Sequence, residues 1–327
     1  MKRITALGIL GILCGTLFVF AEDAKVMPAR MGRVYLAPSF SFANKAWDAE
    51  GDKQDLTDGN KAIKMFNLGF AVEYGIIDWI TGAIQWAPGW NAWSDVDYTL
   101  NMGPLGNKEL DANLKGFGDI FVGAKIQIIG ADAPVKNSSV RLAIGPGVKI
   151  PLPGPDFTEE QAKIMNDEAV TVGKIDKHTF GFGARTYFDY VINDMFSVSA
   201  YNEFIYYPLK VKGKNHGIGT PAEADVAYGF DLTFELEPHF DKTFGNGLLF
   251  HAGLPVNYKF TPDIKIDGTT QDDSATQVLS LKPNASIFLT QLPLPLQFQL
   301  AYTVPLWGKN TNATNSLVFQ IRAYFKI

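Results

Sequence analysis

The sequence predicts an all-β fold, an up-and-down antiparallel transmembrane β-barrel of about twelve strands. First, apolar and polar residues alternate strictly in many stretches, such as DVAYGFDLTFELE at 225–237, and alternation with a period of two is typical of strands. Second, most of these stretches are about ten residues long, which is the length that a tilted strand needs to cross a bilayer. Third, the connections between them are alternately short and long, as in membrane barrels.

The first 21 residues predict a cleaved signal peptide. Lys2 and Arg3 precede an apolar run, and Ala21 supplies a small residue at its end for cleavage. An uncleaved membrane anchor is the alternative, but the run is short for a spanning helix and no stop-transfer flank follows it. Residues 22–32 are then expected to form a short periplasmic segment, and residues 33–327 the barrel.

The composition of the remaining chain excludes several classes of protein. Removal of the signal peptide takes away Cys14, the single cysteine, so no disulfide or thiolate chemistry is expected. It also takes away two of the 29 basic residues and none of the 34 acidic ones, which leaves a net charge of −7. An acidic chain argues against nucleic acid as a partner. No later segment has 18 uninterrupted apolar residues, so no transmembrane helix is expected.

The candidate strands follow one another along the whole chain. They span about 33–42, 63–74, 79–88, 117–129, 139–150, 179–190, 195–207, 225–237, 248–260, 278–290, 296–306 and 316–327. With an even number of strands, both termini and the short turns lie on the periplasmic side, and the long loops lie outside. A soluble β-sandwich is the alternative, but its inner faces would be wholly apolar, whereas the second face of each strand here is rich in glycine, amide and charged residues.

The second, polar face of each strand predicts the lining of the lumen. The charged residues expected to line a solute pathway there are Glu73, Lys125, Arg141, Lys149, Arg185, Glu203, Asp231, Glu235, Lys259, Lys282 and Arg322. Because unpaired buried charges are costly, either water fills the lumen or these charges pair across it. The first alternative predicts a polar pathway, and the second a salt-bridged interior that only holds the barrel together.

Two further features are candidates for a role in transport. Gly145, Pro146 and Gly147 interrupt a good strand with a residue that has no N–H, so a bulge or kink is expected there. Such a kink is either a harmless bulge or a lateral gap through which an apolar solute leaves. The long connection 89–116 is expected to be an apolar outer loop that packs into the barrel mouth or collects apolar solutes; its leading apolar residues are Trp90, Trp93, Tyr98 and Leu100.

Catalysis, metals and cofactors find little support in the sequence. The four histidines lie at no metal-ligand spacing, and no nucleophile-elbow, Walker or metalloprotease motif is present. His251 is expected to face the lumen, with Asp231 and Glu235 as candidate partners on the preceding strand. A barrel hydrolase would need a serine and a carboxylate beside this histidine. We therefore expect no enzyme, no metal and no cofactor.

Two stretches carry a resemblance to a known family. KGFGDIFVGAKIQI at 115–128 and EYGIIDWITGAIQWAP at 73–88 resemble the outer-membrane proteins of the phenol meta-pathway degradation (MetA) type, which are loosely related to long-chain fatty-acid transporters. The resemblance implies a monomeric barrel that is a channel for small aromatic or hydrophobic compounds. The matching positions are structural ones: Gly116, Gly118, Asp119, Gly123, Tyr74, Gly75 and Asp78.

The sequence also departs from that pattern. Fatty-acid transporters carry a long N-terminal hatch, whereas only about eleven residues precede the first strand here, which argues against a plugged, hatch-gated barrel. Barrel assembly signals usually end in phenylalanine, whereas this chain ends in AYFKI with Phe325 two residues from its end. The alternating apolar pattern that the assembly machinery recognises is otherwise intact.

The prediction is therefore an outer-membrane channel of a diderm, Gram-negative-type cell for passive uptake of small hydrophobic or aromatic solutes. Its expected partners are outer-membrane lipid, a small-molecule solute and the barrel assembly machinery. Two alternatives stay open. The charged lumen favours a general or polar-solute porin, and tightly paired lumen charges would favour a closed scaffold that displays its loops as an adhesin or antigen.

Overall fold

The computed structural model describes residues 23–55, 62–101, 107–113, 116–153, 170–171, 176–214, 223–245 and 247–326. Within these ranges, the side chains of residues 96–101, 107–113, 170–171, 213–214 and 223–224 are not described. The predicted signal peptide and the side chains of Tyr98 and Leu100 thus lie outside the described part of the chain and stay predictions.

Twelve strands form the wall of the molecule. They are β1 (Met31–Ala43), β2 (Ile63–Ile77), β3 (Ile80–Asn101), β4 (Ile120–Gly130), β5 (Val140–Ile150), β6 (Gly181–Val191), β7 (Phe196–Tyr207), β8 (Gly229–Thr243), β9 (Leu248–Gly253 and Val256–Thr261), β10 (Thr276–Leu281 and Asn284–Leu289), β11 (Leu296–Lys309) and β12 (Asn315–Lys326). Each pairs antiparallel with the next one along the chain.

The last strand closes the sheet on the first. β12 pairs antiparallel with β1 in a register that runs from Met31 opposite Lys326 to Phe42 opposite Asn315. A sheet closed in this way has no free edge. The prediction of an all-β antiparallel barrel of about twelve strands is confirmed. Because the strands form one closed sheet, the β-sandwich alternative is excluded.

Burial along the strands is the reverse of that in a soluble protein. In β8, Thr233, Glu235 and Glu237 are only 4%, 1% and 4% exposed, whereas Phe234 and Leu236 between them are 44% and 42% exposed. The same alternation holds along β2, where Glu73 is buried and Val72 is exposed. An exposed apolar face around a polar interior is favourable where lipid surrounds the barrel.

The stretch 225–237 is divided between two elements. Gly229 adopts a φ of 74°, which other residues rarely tolerate, and β8 begins there. The preceding strand Glu223–Ala227 instead pairs with Val211–Lys214 and with Lys265–Ile266 in an outer sheet that also contains Thr269–Thr270. The alternation therefore predicted the strand character of the whole stretch but not the bend within it.

The connection after β3 also differs from the prediction. Trp90 and Trp93, which were expected in an outer loop, lie on β3 opposite Leu68 and Phe66 of β2. The strand was predicted to end at residue 88, but Pro88 and Gly89 are accommodated by a shift of the register between Leu68 and Phe70. β3 then continues to Asn101 and pairs with Asn107–Asn113, which in turn pairs in parallel with Val170–Thr171.

The strand that contains Gly145, Pro146 and Gly147 is continuous. β5 keeps one register with β6 from Val140 to Lys149, and its register shift against β4 lies between Leu142 and Ala143. The interrupted strands are β9, at Leu254 and Pro255, and β10, at Lys282 and Pro283. Against β4, however, the paired residues run from Ile144 directly to Gly147, so Gly145 and Pro146 have no ladder partner on that side, and a lateral gap there stays a prediction.

Small elements complete the fold outside the wall. Lys45–Trp47, Lys53–Asp55 and Thr311–Asn312 form a three-stranded sheet on the long-loop side. Gly116–Phe117 precedes β4 and pairs with β3, and Val135–Lys136 pairs in parallel with β4. None of the described residues form a helix that is long and apolar enough to cross a membrane.

Candidate solute-binding lumen

The turn end of the lumen is occupied by the N-terminal segment, residues 23–30. The Ala24 amide donates to both carboxylate oxygens of Asp189, at 3.1 and 3.0 Å, and Gln127 Nε2 donates to the Ala24 carbonyl at 2.8 Å. Lys125 Nζ donates to the Asp23 carbonyl at 3.0 Å. Ala24 is completely buried. The main chain of this segment thus crosses the interior and is held by side chains of β4 and β6.

The short length of this segment is no obstacle to filling the barrel end. Eight extended residues reach about 26 Å, and the segment inserts as main chain, with the Met27 amide donating to Thr81 Oγ1 at 2.7 Å and the Ala29 amide donating to Asp78 Oδ1 at 3.0 Å. The argument from length against a plugged barrel was wrong, because it considered only a folded hatch.

Three arginine–carboxylate pairs line the interior wall. They are Arg33–Glu73 at 3.0 Å, Arg141–Asp189 at 3.3 Å and Arg185–Glu203 at 2.6 Å. In each pair the two residues stand directly opposite on neighbouring strands. Opposite charges in this position stabilise a strand pair. Arg185 Nη1 also donates to Gln85 Oε1 of β3 at 2.5 Å, so this side chain reaches across the lumen.

The loop end of the lumen is occupied by residues 176–179, the last part of the connection between β5 and β6. Asp176 and Lys177 are each 5% exposed. Lys149 Nζ lies 2.6 Å from Asp176 Oδ1, and Lys177 Nζ contacts Asp231 Oδ1. Asp231 also accepts hydrogen bonds from Tyr207 Oη at 2.8 Å and from a threonine hydroxyl of β9. We call residues 176–179, together with Lys149, Tyr207, Asp231 and this threonine, the outer layer.

A further group lies on β8, β9 and β10. Glu235, 1% exposed, accepts a hydrogen bond from Asn257 Nδ2 at 3.1 Å through one oxygen, and its Oε1 has no hydrogen-bond partner among the described residues. Lys282 is 5% exposed. Lys259 is opposite Thr233 on β8 and Val278 on β10.

A cavity of about 750 Å³ lies between the centre of the barrel and its turn end. The N-terminal segment contributes Asp23 and residues 25–28 to its lining. Its aromatic walls are Tyr35, Phe121, Tyr187, Phe288 and Tyr324. A volume of this size falls within the usual range for small-molecule sites.

Phe121 lies against the wall in the middle of the barrel because glycines leave it space. A Cβ added at Gly123 would come within 2.9 Å of the Phe121 ring, and one at Gly183 within 2.5 Å. A Cβ added at Gly147 would also overlap this ring. The Arg185 guanidinium carbon lies 3.6 Å from the ring centroid on the lumen side. The ring is thus held between three glycines and one cation.

Arg322 differs from the other three arginines of the cavity. Its guanidinium donates to three glutamine oxygens: Oε1 of Gln320 at 2.6 Å, of Gln299 at 2.8 Å and of Gln297 at 3.3 Å. Its guanidinium carbon lies 5.7 Å from the centroid of the Tyr35 ring. Within the part of the chain that the structure describes, no carboxylate lies within 4 Å of it.

The eleven charged residues predicted for the lumen fall into three regions. The cavity is lined by Glu73, Lys125, Arg141, Arg185 and Arg322; the outer layer contains Lys149 and Asp231; and the wall between β7 and β10 carries Glu203, Glu235, Lys259 and Lys282. Their part in a solute pathway stays a prediction. Trp90 and Trp93 are 44% and 47% exposed and lie on the wall of β3 rather than in a mouth loop.

Several residues of the site were missed in the sequence. Phe121 belongs to the glycine- and lysine-bearing face of its strand, and alternation alone would have placed it inside. Asp23, Asp176 and Lys177 come from segments without periodicity, so no local pattern indicates their position. Gln297 and Gln299 alternate inward on β11, but uncharged amides did not stand out among the charged candidates.

His251 has other partners than expected. Its Nδ1 lies 2.9 Å from Asp241 Oδ1, and its Nε2 lies 3.6 Å from Glu237 Oε1. Asp231 and Glu235 are not its neighbours, because the first segment of β9 places His251 opposite Asp241. Over the ranges that the structure describes, no three His, Cys, Asp or Glu side chains are placed to hold a metal ion.

Comparison with known proteins places the fold in context. No protein-family model matches the chain, and a search of curated proteins found no match. Among solved structures, an outer-membrane channel from Pseudomonas putida F1 matches with a TM-score of 0.63 and 15% identity, over 94% of this chain and 100% of that one.

Two weaker similarities extend over most of the chain. They are the β-domain of the Bordetella autotransporter BrkA, with a TM-score of 0.43, 8% identity and coverage of 90% of this chain and 100% of that one, and the Ralstonia pickettii toluene transporter TbuX, with a TM-score of 0.41, 9% identity and coverage of 94% and 92%. It is the match to the Pseudomonas channel, with its TM-score of 0.63, that shows the chain to share the fold of that barrel.

Proposed function

We propose that the chain is an outer-membrane channel for the uptake of small hydrophobic or aromatic solutes. The observation that carries this proposal is the interior cavity of about 750 Å³, which has five aromatic side chains in its wall. A concave site with apolar walls and a few polar groups is typical of small-molecule binding. The likeness to the Pseudomonas channel supports the fold that such a function requires.

A general polar porin is less well supported. A water-filled pore keeps its lining charges solvated, whereas three of the four cavity arginines are paired with carboxylates. The N-terminal segment and the outer layer also occupy the two ends of the lumen. These contacts favour a site that admits one solute at a time over an open aqueous path.

The paired charges also favour the third alternative, a closed scaffold that displays its loops. The cavity argues against it, because a barrel that serves only as a scaffold gains stability from a filled interior. On the proposal, the exposed apolar face contacts outer-membrane lipid of a diderm cell, and the barrel assembly machinery inserts the chain through its alternating C-terminal strand.

The test is uptake of a radiolabelled aromatic solute, phenol or toluene, into proteoliposomes with a lipopolysaccharide outer leaflet. Such a leaflet slows the entry of apolar solutes through the lipid. The refolded chain without its predicted signal peptide should accelerate uptake. Ala83→Phe places a ring in the cavity wall and should abolish most of this acceleration, since Ala83 lines the cavity.

The matched control is Ile84→Phe on the same strand, since Ile84 is 45% exposed on the lipid face. It should leave uptake unchanged. No acceleration by any of the three proteins would contradict the channel and favour the scaffold, whereas equal acceleration by all three would contradict a route through the cavity. A steady ohmic conductance in planar bilayers that falls in the D231N/E235Q variant would favour the polar porin.

A further inference from the structure

We infer that the wall around Arg322 is a binding site for the carboxylate of a small amphipathic anion. This inference rests on the proposed function and specifies the class of solute. The site consists of a guanidinium held in a fixed orientation by glutamine side chains and flanked by tyrosine and phenylalanine rings.

The charge of Arg322 is the first argument. Arg33, Arg141 and Arg185 each have a carboxylate partner on the opposite strand. Arg322 has only neutral amide oxygens and a tyrosine ring among the residues that the structure describes. A cation in a barrel interior without a counter-charge is costly, and an entering anion would lower that cost.

The geometry of the donors is the second argument. A guanidinium has five N–H donors, and three hydrogen bonds from Nε, Nη1 and Nη2 use three of them. One N–H on each of the two Nη atoms is left, which suits a bidentate carboxylate. Two of the three amides that hold the group are held in turn, since Gln297 Nε2 donates to Ser286 Oγ at 3.0 Å and Gln299 Nε2 donates to Asn284 Oδ1 at 3.2 Å.

The rings beside Arg322 determine the rest of the ligand. Phe288 and Tyr324 lie with their centroids 4.8 Å apart, and both line the cavity together with Tyr35. Tyr324 Oη donates to Gln297 Oε1 at 2.8 Å, which fixes the ring beside the guanidinium. An aromatic or short alkyl group attached to the carboxylate would pack on this surface. The ligand class is therefore an arene carboxylate or a short-chain fatty acid anion.

The experiment compares 4-fluorobenzoate with the neutral 4-fluorobenzamide by ¹⁹F NMR titration against the refolded chain in nanodiscs, with empty nanodiscs as the blank. The two probes differ in charge and share the ring. The wild-type chain should bind the benzoate more tightly by about tenfold or more, as expected for a charge-assisted hydrogen-bond pair. Arg322→Gln should remove this preference, and Arg322→Lys should keep only part of it.

The control is Lys136→Gln, which also removes one positive charge, but from an exposed position that does not line the cavity. It should keep the preference. Equal affinities for the two probes in the wild type, or a preference that survives in a folded Arg322→Gln variant, would overturn the inference. Uptake that is sensitive to Ala83→Phe would stand in either case, so failure of the carboxylate site is distinguishable from failure of the channel.

Discussion

At the scale of single residues, the interior depends on glycines that make space for Phe121. A Cβ at Gly147 would overlap this ring and would lie 2.8 Å from the carbonyl oxygen of Val122. The carbonyl belongs to the main chain and cannot yield easily. We expect Gly147→Ala to destabilise the barrel by about 1–3 kcal/mol through overpacking.

This effect can be measured as a shift of the urea midpoint of unfolding in lipid vesicles. Gly245→Ala is the matched control, since nothing lies within 4 Å of a Cβ added there. An unchanged midpoint for Gly147→Ala would show that the ring is free to move away.

Asp189 is the residue on which the position of the N-terminal segment depends most. It accepts hydrogen bonds from the Ala24 amide and from Ser199 Oγ at 2.9 Å, and it pairs with Arg141. Asp189→Ala removes all of these and should release the segment from the wall. We expect the segment to become cleavable by an added protease, as mass spectrometry of the treated protein would detect. Asp132→Ala, in an exposed turn, should leave it protected.

The sequence could predict which residues face inward but not which of them meet. Alternation placed Arg33, Glu73 and Arg322 on the polar face of their strands, because that periodicity is local. The pairing of Arg33 with Glu73 requires the register between β1 and β2, which depends on the whole barrel. The glutamines that hold Arg322 come from β11 and β12 and have no pattern that links them in the sequence.

At the scale of elements, the outer layer and the N-terminal segment act as two constrictions in series. Lys177 contacts Asp231, and its Nζ lies 4.5 Å from the centroid of the Tyr207 ring. Lys177→Ala should loosen the loop end, yet conductance should rise only slightly, because the resistance of the turn end stays. The double variant K177A/D189A should conduct more than the sum of the two single effects.

Planar-bilayer recording of the two single variants and the double variant measures this relation. Lys136→Ala, an exposed position at the short turns, is the control for the loss of a lysine. Strictly additive conductances would mean that the two segments do not lie on one path.

Strand positions were predictable and strand interruptions were not. The predicted stretch at 139–150 corresponds to β5, although it contains Pro146, whereas the stretch at 248–260 is broken at Pro255. β9 is interrupted because Pro255 lies beside a second proline on the neighbouring strand β10. The Lys282 amide, which immediately precedes Pro283, donates to the Pro255 carbonyl at 2.9 Å. Proline on two adjacent strands removes donors from the same ladder, and only the register shows that they are adjacent.

At the scale of the whole molecule, closure of the barrel can be tested covalently. Ser41 on β1 and Ser316 on β12 are opposite each other inside the barrel, with their Oγ atoms 3.1 Å apart. The S41C/S316C variant should form a disulfide on mild oxidation, since residues directly opposite in a strand pair have a suitable separation. Its mobility in denaturing electrophoresis should change on reduction.

The control variant is S41C/S286C, which places the second thiol on β10, away from β1. It should form no intramolecular disulfide. A disulfide in the control and none in S41C/S316C would contradict the closing register between β1 and β12.

The pairing of β1 with β12 also sets a condition on biogenesis. Met31 meets Lys326, so the contact that completes the wall joins residues from the two ends of the chain. Such a long-range contact forms late and slowly. Until it forms, the chain exposes two strand edges that can pair with other chains. A chain that lacks β12 (Asn315–Lys326) would therefore be an aggregation-prone sheet, and the whole polypeptide must be present before the wall can close.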